Sequence, residues 1–248
     1  MYPYDLVFDI GLYEILGAVG IIFAMVVFRL LSDERGLSAK LHNFVLADTV
    51  LTIIGGYFSA VLVQAFYDAL ANGTFELNEN TGATFLGGFI GGVIIFLLVY
   101  FIGGKLFLKK ENATAHFPLI ADIYAVCLPL AHGFGRLGCL MAGCCHGASA
   151  DWGIYHVNLG MRVVPVQLFE AIFLFLLSAL LYFFTKKTAG RGFALYMILY
   201  GAWRFAAEFL RADDRGATLV DFLSPSQLVS VLMIAAGAVI FLIPRRKA

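Results

Sequence analysis

The sequence predicts an all-α, polytopic membrane protein with seven transmembrane helices, with the N-terminus outside and the C-terminus inside. Of its 248 residues, 61% are hydrophobic and 14% are charged, whereas soluble domains are about 45–50% apolar and about 25% charged. The mean hydropathy is +0.87, and several apolar runs reach the roughly 20 residues that a helix needs to cross a bilayer. Because no polar stretch is long enough for a soluble domain, we expect one membrane domain over residues 1–248.

The predicted spans follow the apolar runs of the chain, and the loops between them alternate in basic content. The first run follows acidic residues rather than Lys or Arg, so we expect a retained helix and not a signal peptide. Loops rich in Lys and Arg stay in the cytoplasm, which predicts an outside N-terminus and an inside C-terminus. The predicted spans cover about residues 11–31, 45–71, 85–108, 119–141, 166–185, 190–211 and 225–244. The basic residues that set this orientation are Arg29, Arg35, Lys40, Lys105, Lys109, Lys110, Lys186, Lys187, Arg191, Arg245, Arg246 and Lys247.

Arg136 is the most informative of the arginines that this topology does not require. It ends a long apolar run between Gly135 and Gly138, and an arginine in the bilayer costs at least about 2.5–3.5 kcal/mol unless it faces a cavity or counter-charge. Guanidinium suits bidentate recognition of phosphate, and the glycines let a ligand approach the backbone closely. We therefore expect Arg136 to hold an anionic lipid headgroup. The other arginines on the predicted outer side are Arg162, Arg204, Arg211 and Arg215.

Arg204 belongs to a polar stripe on the sixth predicted span. Tyr200, Arg204, Glu208 and Arg211 follow the i, i+4, i+8, i+11 spacing of one helix face. Such a face must look into the helix bundle, where Arg204 would share the anionic site with Arg136; an Arg204–Glu208 pair that holds two helices together is the alternative. For Arg211, which lies beside the acids of the next loop, simple ion pairing explains the sequence equally well.

Other polar or small residues are candidates for contacts with the same substrate. On the fourth span, His132 lies one helical turn before Arg136 and shares its face. Pairs of glycines four residues apart in the third span indicate either close helix contact or a backbone surface for a headgroup. The remaining candidates are Gly87, Gly88, Asp122, Gln167 and Glu170.

A cysteine cluster follows Arg136 in the longest predicted outer loop. Cys139, Cys144 and Cys145 precede His146, and a thiol beside a histidine is a candidate nucleophile for covalent transfer. Small packing cysteines and a disulfide from Cys139 to Cys144 or Cys145 are the alternatives. The spacing lacks the C-x2-C pairs typical of zinc sites, so we expect no metal.

Several motifs in the right order resemble those of the bacterial prolipoprotein diacylglyceryl transferases. Gly135-Arg136-Leu137-Gly138 resembles the start of that family's G-R-x-G-N-F-x-N-x-E signature, and Asp122 stands where the family has an Asp before it. Three further segments resemble the family's P-S-Q-L-Y-E, Y-G-x-x-R-F-x-x-E-x-x-R and L-S-x-x-Q motifs; they are Pro165-x-Gln167-x-x-Glu170, Tyr200-Gly-x-x-Arg204-Phe-x-x-Glu208-Phe-x-Arg211 and Leu223-Ser-x-x-Gln227. The family also has seven helices and an outside N-terminus.

The resemblance implies a transferase that moves diacylglycerol from phosphatidylglycerol to the lipobox cysteine of a preprolipoprotein signal peptide. It implies a multi-pass protein of the bacterial plasma (inner) membrane, surrounded by membrane lipids, with its active site toward the extracytoplasmic side. Arg136 and Arg204 would bind the phosphate and offset the charge that builds on it. We expect no cofactor and no nucleic-acid partner.

The chain also departs from the family pattern at positions that handle the acceptor and its proton. Cys139, Ala142 and Cys144 replace the Asn, Asn and Glu of the signature, and Leu86 replaces the His of the family's H-G-G-L motif. The general base is then His132, His146 or Glu208. A related transferase with a different acceptor, using Cys144 or Cys145 with His146, is the first alternative, and a non-enzymatic lipid-binding or transport protein is the second.

Overall fold

The fold comes from a computed structural model and is mostly α-helical. The backbone forms two compact units, residues 1–31 with 118–248 and residues 32–117, and each is described by itself. That residues 1–248 form one membrane domain remains a prediction. The structure describes residues 1, 3–7, 10–78, 81–109, 111–211 and 223–243. The predictions for Lys110, Asp213, Asp214, Arg215, Arg245, Arg246 and Lys247 lie outside these residues.

The first unit contains two short hairpins, most of two long helices and three further helices. The strands β1 (Asp5–Val7) and β2 (Ile10–Gly11) pair antiparallel. The second hairpin consists of two further antiparallel strands and lies in a segment that was predicted to be a loop. The remaining elements are α1 (Leu12–Glu34), α5 (Ala113–Ala142), β3 (Ser149–His156), β4 (Met161–Val163), α6 (Val166–Lys187), α7 (Gly192–Ala207) and α8 (Pro225–Leu242).

The second unit is built on a helical hairpin of α2 (Ala39–Asn72) and α3 (Phe85–Leu98). Helix α3 continues through a π-helical turn, Val99–Gly103, into the short helix α4, Gly104–Phe107. Helix α2 begins where the Ser38 hydroxyl accepts a hydrogen bond from the Leu41 amide at 3.2 Å, because a side-chain oxygen at this position satisfies an amide that has no helical partner.

Close packing of α2 against α3 depends on glycine. A Cβ atom on Gly88 would lie 3.2 Å from the Ala60 Cβ and 3.3 Å from the Gly56 carbonyl oxygen, and one on Gly87 would lie 2.6 Å from the Val63 Cβ. The Ser59 hydroxyl donates to the Gly87 carbonyl at 2.9 Å. Small residues let helix backbones approach closely within a membrane. Of the two interpretations of the glycine pairs, the structure therefore favours helix contact over a headgroup surface.

Six of the described helical segments have the length and hydropathy to cross a membrane. They are Leu12–Glu34, Ala39–Leu70, Leu86–Phe107, Ala113–Ala142, Val166–Lys187 and Pro225–Leu242. Helix α7 has only 16 residues and passes into a 3-10 turn, Glu208–Leu210, so it is shorter than a typical span. The seventh crossing and the orientation of the chain stay predictions.

Candidate functional site

The candidate polar site lies in the first unit, where the C-terminal parts of α5 and α7 meet the N-terminal turns of α6 and α8. An antiparallel arrangement brings these four helix ends together, so residues far apart in the sequence become neighbours. The positive ends of α6 and α8 point to the same region. Most of the residues singled out in the sequence lie here, and their contacts show which of them are brought together.

Arg136 is anchored through one side of its guanidinium. Its Nε lies 3.0 Å from Glu170 Oε2 and donates to His132 Nε2 at 3.2 Å. The Tyr200 hydroxyl donates to Glu170 Oε1 at 3.0 Å, so a single carboxylate links α5, α6 and α7. The Arg136 side chain is 15% exposed and that of Glu170 is fully buried. Among the described residues, the two Nη groups of Arg136 have no hydrogen-bond partner.

Arg204 is anchored through both ends of its guanidinium. Its Nη1 lies 2.8 Å from Glu208 Oε2, and its Nη2 donates to the Ser226 hydroxyl at 2.7 Å. The Ser224 hydroxyl donates to Glu208 Oε1 at 2.7 Å and also caps α8 by accepting from the Gln227 amide at 3.2 Å. Arg204 therefore fastens the end of α7 to the start of α8, which agrees with the helix-linking alternative for this pair.

The two arginines share one electrostatic neighbourhood. Both guanidiniums act electrostatically on the ring of His132 and on the Tyr200 hydroxyl. Each arginine also has its own carboxylate partner, so these four side chains carry no formal net charge. The sequence predicts the arginines but not this pairing, because the partner of Arg136 comes from another helix.

The three candidate bases differ in what their proton-accepting atoms contact. His132 accepts a hydrogen bond on Nε2, and Glu208 is held by Arg204 and Ser224. In His146, Nδ1 lies 2.9 Å from the Gly147 carbonyl oxygen, so Nδ1 carries the proton of a neutral ring. That leaves the lone pair on His146 Nε2, which has no hydrogen-bond partner among the described residues.

The fold brings three of the four cysteines together, at the end of α5. The Sγ atoms of Cys139, Cys144 and Cys145 all lie within 4.8 Å of one another. All four cysteines are free, and Cys127 is buried apart from this cluster. The chain turns back after α5 because Gly143 and Cys145 adopt positive φ values of 74° and 61°, a conformation that residues other than glycine seldom adopt.

Hydrogen bonds from several elements fix the loop that carries Cys144 and Cys145. The buried ring of His156 donates from Nε2 to the Gly143 carbonyl at 2.6 Å, and its Nδ1 accepts from the Leu159 amide at 3.2 Å. Gln167, also buried, donates to the Cys144 carbonyl at 2.5 Å. His156 was not among the predicted site residues, and its place in the same long loop as the cysteines is the only sequence feature that points to it.

Arg211 contributes to the thiol cluster and not to a continuous helical stripe. The 3-10 turn ends α7 before it, and Arg211 has extended φ and ψ values of −89° and 152°. It forms an antiparallel bridge with Gly147. Hydrogen bonds from the thiols of Cys139 and Cys144, and from the Arg211 guanidinium, hold the pKa of the Cys145 thiol well below its ordinary value.

Asp122 and the glycines are not all brought to this site. Asp122 accepts hydrogen bonds from the Gly190 and Gly192 amides and so caps the start of α7, about 21 Å along α5 from Arg136 at about 1.5 Å per residue. We therefore assign Asp122 to helix capping. A Cβ on Gly138 would lie 3.1 Å from the Tyr13 carbonyl oxygen, whereas one on Gly135 would meet no atom within 4 Å. Only Gly135 leaves space beside Arg136; Gly87 and Gly88 belong to the helix contact of the second unit.

Helices of membrane-spanning length and a cluster of buried arginine–carboxylate pairs define a multi-pass membrane protein with a polar interior site. The chain belongs to the prolipoprotein diacylglyceryl transferase family, because the model of that family matches residues 4–243.

Named relatives agree with this assignment over nearly their whole length. A phosphatidylglycerol–prolipoprotein diacylglyceryl transferase of Clostridium tetani is 34% identical over 245 residues, which cover 94% of this chain and 92% of the relative. The second such enzyme of Clostridium perfringens is 30% identical, with coverage of 95% and 91%. The enzyme of Dehalococcoides mccartyi is 31% identical, with coverage of 95% and 89%.

Proposed function

We propose that this protein transfers the diacylglyceryl group of phosphatidylglycerol to the thiol of the lipobox cysteine in preprolipoproteins. The reaction takes place at the extracytoplasmic side of the bacterial plasma membrane, which the chain crosses seven times. The names of relatives that span about nine-tenths of the chain support the substrates. The distribution of Lys and Arg supports the orientation.

The single observation that carries the mechanism is the way Arg136 is held. Glu170 and His132 contact its Nε, while its Nη groups have no protein partner among the described residues. Two parallel N–H groups match two oxygens of a phosphate, and the open space at Gly135 lets a headgroup approach. Arg136 is therefore the direct ligand of the lipid phosphate.

Arg204 acts on the same phosphate at longer range. Both of its Nη groups already have partners, Glu208 and Ser226, so it contributes its charge and the position of α8 rather than a bidentate contact. A fixed positive charge in a site that excludes water stabilises developing negative charge strongly. The N-terminal turns of α6 and α8 add to this field.

The reaction is a displacement at the sp³ carbon of the glyceryl group. The sulfur of the acceptor attacks this carbon, and the carbon–oxygen bond to phosphate breaks. Glycerol phosphate leaves with the electron pair, and a base takes the proton of the acceptor thiol. His146 is the best placed of the three candidate bases, because its Nε2 lone pair is not engaged by any described residue.

A transfer assay with purified protein tests this proposal. The protein is placed in lipid nanodiscs that contain phosphatidylglycerol, a lipobox peptide is added, and the peptide mass is followed. We expect the mass of one diacylglyceryl group to be added on the cysteine, with release of glycerol phosphate. Arg162→Ala is the matched control, because Arg162 donates to the Gly153 carbonyl at 2.8 Å within the β3–β4 hairpin and should leave transfer intact.

A transferase with another acceptor is the second candidate, favoured by the replacement of the family's motif histidine with Leu86 and by the exposed Cys144. Consumption of phosphatidylglycerol without modification of the lipobox peptide would favour it. If the lipid is not consumed at all, a lipid-binding or transport protein becomes the better description.

A further inference from the structure

The three clustered thiols have the geometry of a ligand set for a soft metal ion. A zinc–sulfur bond is about 2.3 Å long, which places the sulfur atoms of a tetrahedral site about 3.8 Å apart. Cys139, Cys144 and Cys145 present their Sγ atoms within 4.8 Å of one another, so small rotations of the side chains bring them to this spacing. The spacing along the chain gave no sign of this, because the turn after α5, and not a C-x2-C pair, brings the thiols together.

The backbone that presents these thiols is held in place before any ion binds. Cys145 has a φ of 61°, a strained conformation that persists only where the surroundings fix it. His156 holds the Gly143 carbonyl at 2.6 Å, and Gln167 holds the Cys144 carbonyl at 2.5 Å. Metal ligands are usually fixed by neighbours in this way, whereas cysteines that merely fill space need no such scaffold.

The charges around the cluster suit a set of thiolates. The Arg211 guanidinium acts electrostatically on Cys145, and the Arg136 guanidinium acts electrostatically on Cys139 and Cys145. Three thiolates and a divalent ion leave a formal charge of about −1, which the Arg211 guanidinium can offset. Cys144 is exposed, so the cluster is open to an incoming group.

We propose that Cys139, Cys144 and Cys145 bind a soft d¹⁰ cation, Zn²⁺, whose fourth coordination position takes the thiol of the acceptor. Zinc sites with three protein ligands leave such a position open, and a thiol that coordinates zinc loses its proton. This role for the ion rests on the proposed function, because it supplies the nucleophile for the same transfer. It also provides an activation step that does not need the motif histidine that Leu86 replaces.

The step balances without an oxidant or a reductant. The acceptor thiol binds Zn²⁺ and releases its proton to solvent or to His146 Nε2. Its sulfur attacks the glyceryl carbon of the lipid held by Arg136, the carbon–oxygen bond breaks, and glycerol phosphate leaves with the electron pair. The product sulfur is a neutral thioether, which is a weaker ligand than a thiolate and so leaves the ion.

Metal binding is tested first, with a readout that does not depend on activity. The full-length protein is purified with reduced thiols, stripped with a chelator and titrated with Zn²⁺ or Cd²⁺. Bound metal is measured by elemental analysis, and cadmium–thiolate bonds by their ultraviolet charge-transfer absorbance. We expect one ion per chain, lost in Cys144→Ser and Cys145→Ser but kept in Cys127→Ser, the matched control outside the cluster.

Three experimental results would overturn the proposed metal site. They are no thiolate charge transfer, the same stoichiometry in wild type and both cluster variants, and a disulfide between two of the cluster cysteines in protein isolated without reductant. Cys144→Ser changes an exposed side chain and should leave the fold intact. A matching thermal unfolding midpoint for Cys144→Ser and wild type shows that a loss of metal is not a loss of folding.

The transfer assay separates failure of the metal role from failure of the proposed function. Removal of the ion should lower transfer to the lipobox peptide about 100-fold or more, the scale of a lost proton-transfer catalyst, and added Zn²⁺ should restore it. Equal transfer with and without the ion would overturn the catalytic role while the proposed function stands. One ion per chain on these thiols with an unmodified peptide would support the site and reject the proposed function.

Discussion

The surroundings of Arg136 and Arg204 show that two arginines that both lie in apolar stretches of the sequence have different roles. Arg136, at the α5–α6 contact, is held through Nε, and its Nη groups have no partner among the described residues. Arg204, at the α7–α8 contact, has both Nη groups engaged by Glu208 and Ser226. The number of guanidinium N–H groups without a partner among the described residues, and not depth in the membrane alone, therefore separates a ligand-binding arginine from one that joins helices.

The largest effect on activity should come from Arg136→Ala. Loss of one preorganised donor to developing charge costs about 2.7–4 kcal/mol, or a factor of about 100 to 1,000 in rate. Arg136→Lys should recover little, because an ammonium lacks the paired N–H geometry. The measurement is the initial rate of peptide modification in phosphatidylglycerol nanodiscs. An Arg136→Ala rate within a factor of two of wild type would remove Arg136 from the chemistry.

Arg204→Ala should differ by lowering stability as well as rate. It removes the guanidinium 2.8 Å from the largely buried Glu208 carboxylate, and breaking one member of a buried pair costs about 3–5 kcal/mol. The thermal unfolding midpoint in detergent measures this. The double variant with Glu208→Gln should unfold at a higher temperature than Arg204→Ala alone, because the buried negative charge at position 208 is gone. If the single and double variants unfold together, Arg204 is not a helix-joining residue.

Tyr200→Phe tests the anchor of Arg136 without touching the arginine. It removes the 3.0 Å hydrogen bond to Glu170 Oε1, and a hydrogen bond to a charged group contributes about 1.5–3 kcal/mol. We expect a rate roughly tenfold lower, because Glu170 then holds the guanidinium less firmly. The apparent affinity for the peptide, taken from the dependence of rate on peptide concentration, should not change. A defect confined to peptide affinity would contradict this role.

The smallest effect should follow Ser226→Ala. It removes one hydrogen bond to Arg204, of 2.7 Å, while the pair with Glu208 remains. A loss of about 1.5–3 kcal/mol of stability is expected because the partner is charged, with a rate within about a factor of three of wild type. A loss of rate as large as that of Arg136→Ala would mean that the two arginine regions are not distinct.

The sequence predicts the helices well because apolar run length is a local property of the chain. The predicted span at 225–244 matches α8 at Pro225–Leu242. Helix α2 begins well before the predicted residue 45, because the Ser38 cap carries it into the polar stretch that includes Lys40 and His42. The β3–β4 hairpin was not predicted, since its strands lie between loop residues and show no clear alternation.

The site could be predicted only in part, because its contacts join residues from different helices. The i, i+4 spacing of Arg204 and Glu208 predicts their ion pair. No short spacing in the sequence predicts the contact of Arg136 with Glu170 or of Gln167 with Cys144. The positive φ of Cys145 also cannot be read from its residue type, although it decides where the thiols meet. Asp122 looked like a site residue because of its position before the arginine motif, whereas its carboxylate caps a helix.

The most direct test is an experimental structure of the protein with phosphatidylglycerol bound. The account predicts a phosphate oxygen about 2.7–3.2 Å from each Nη atom of Arg136, with Arg204 still paired to Glu208 and farther from the phosphate. A phosphate held by Arg204 instead, or Arg136 Nη groups filled by protein atoms with the lipid elsewhere, would contradict it.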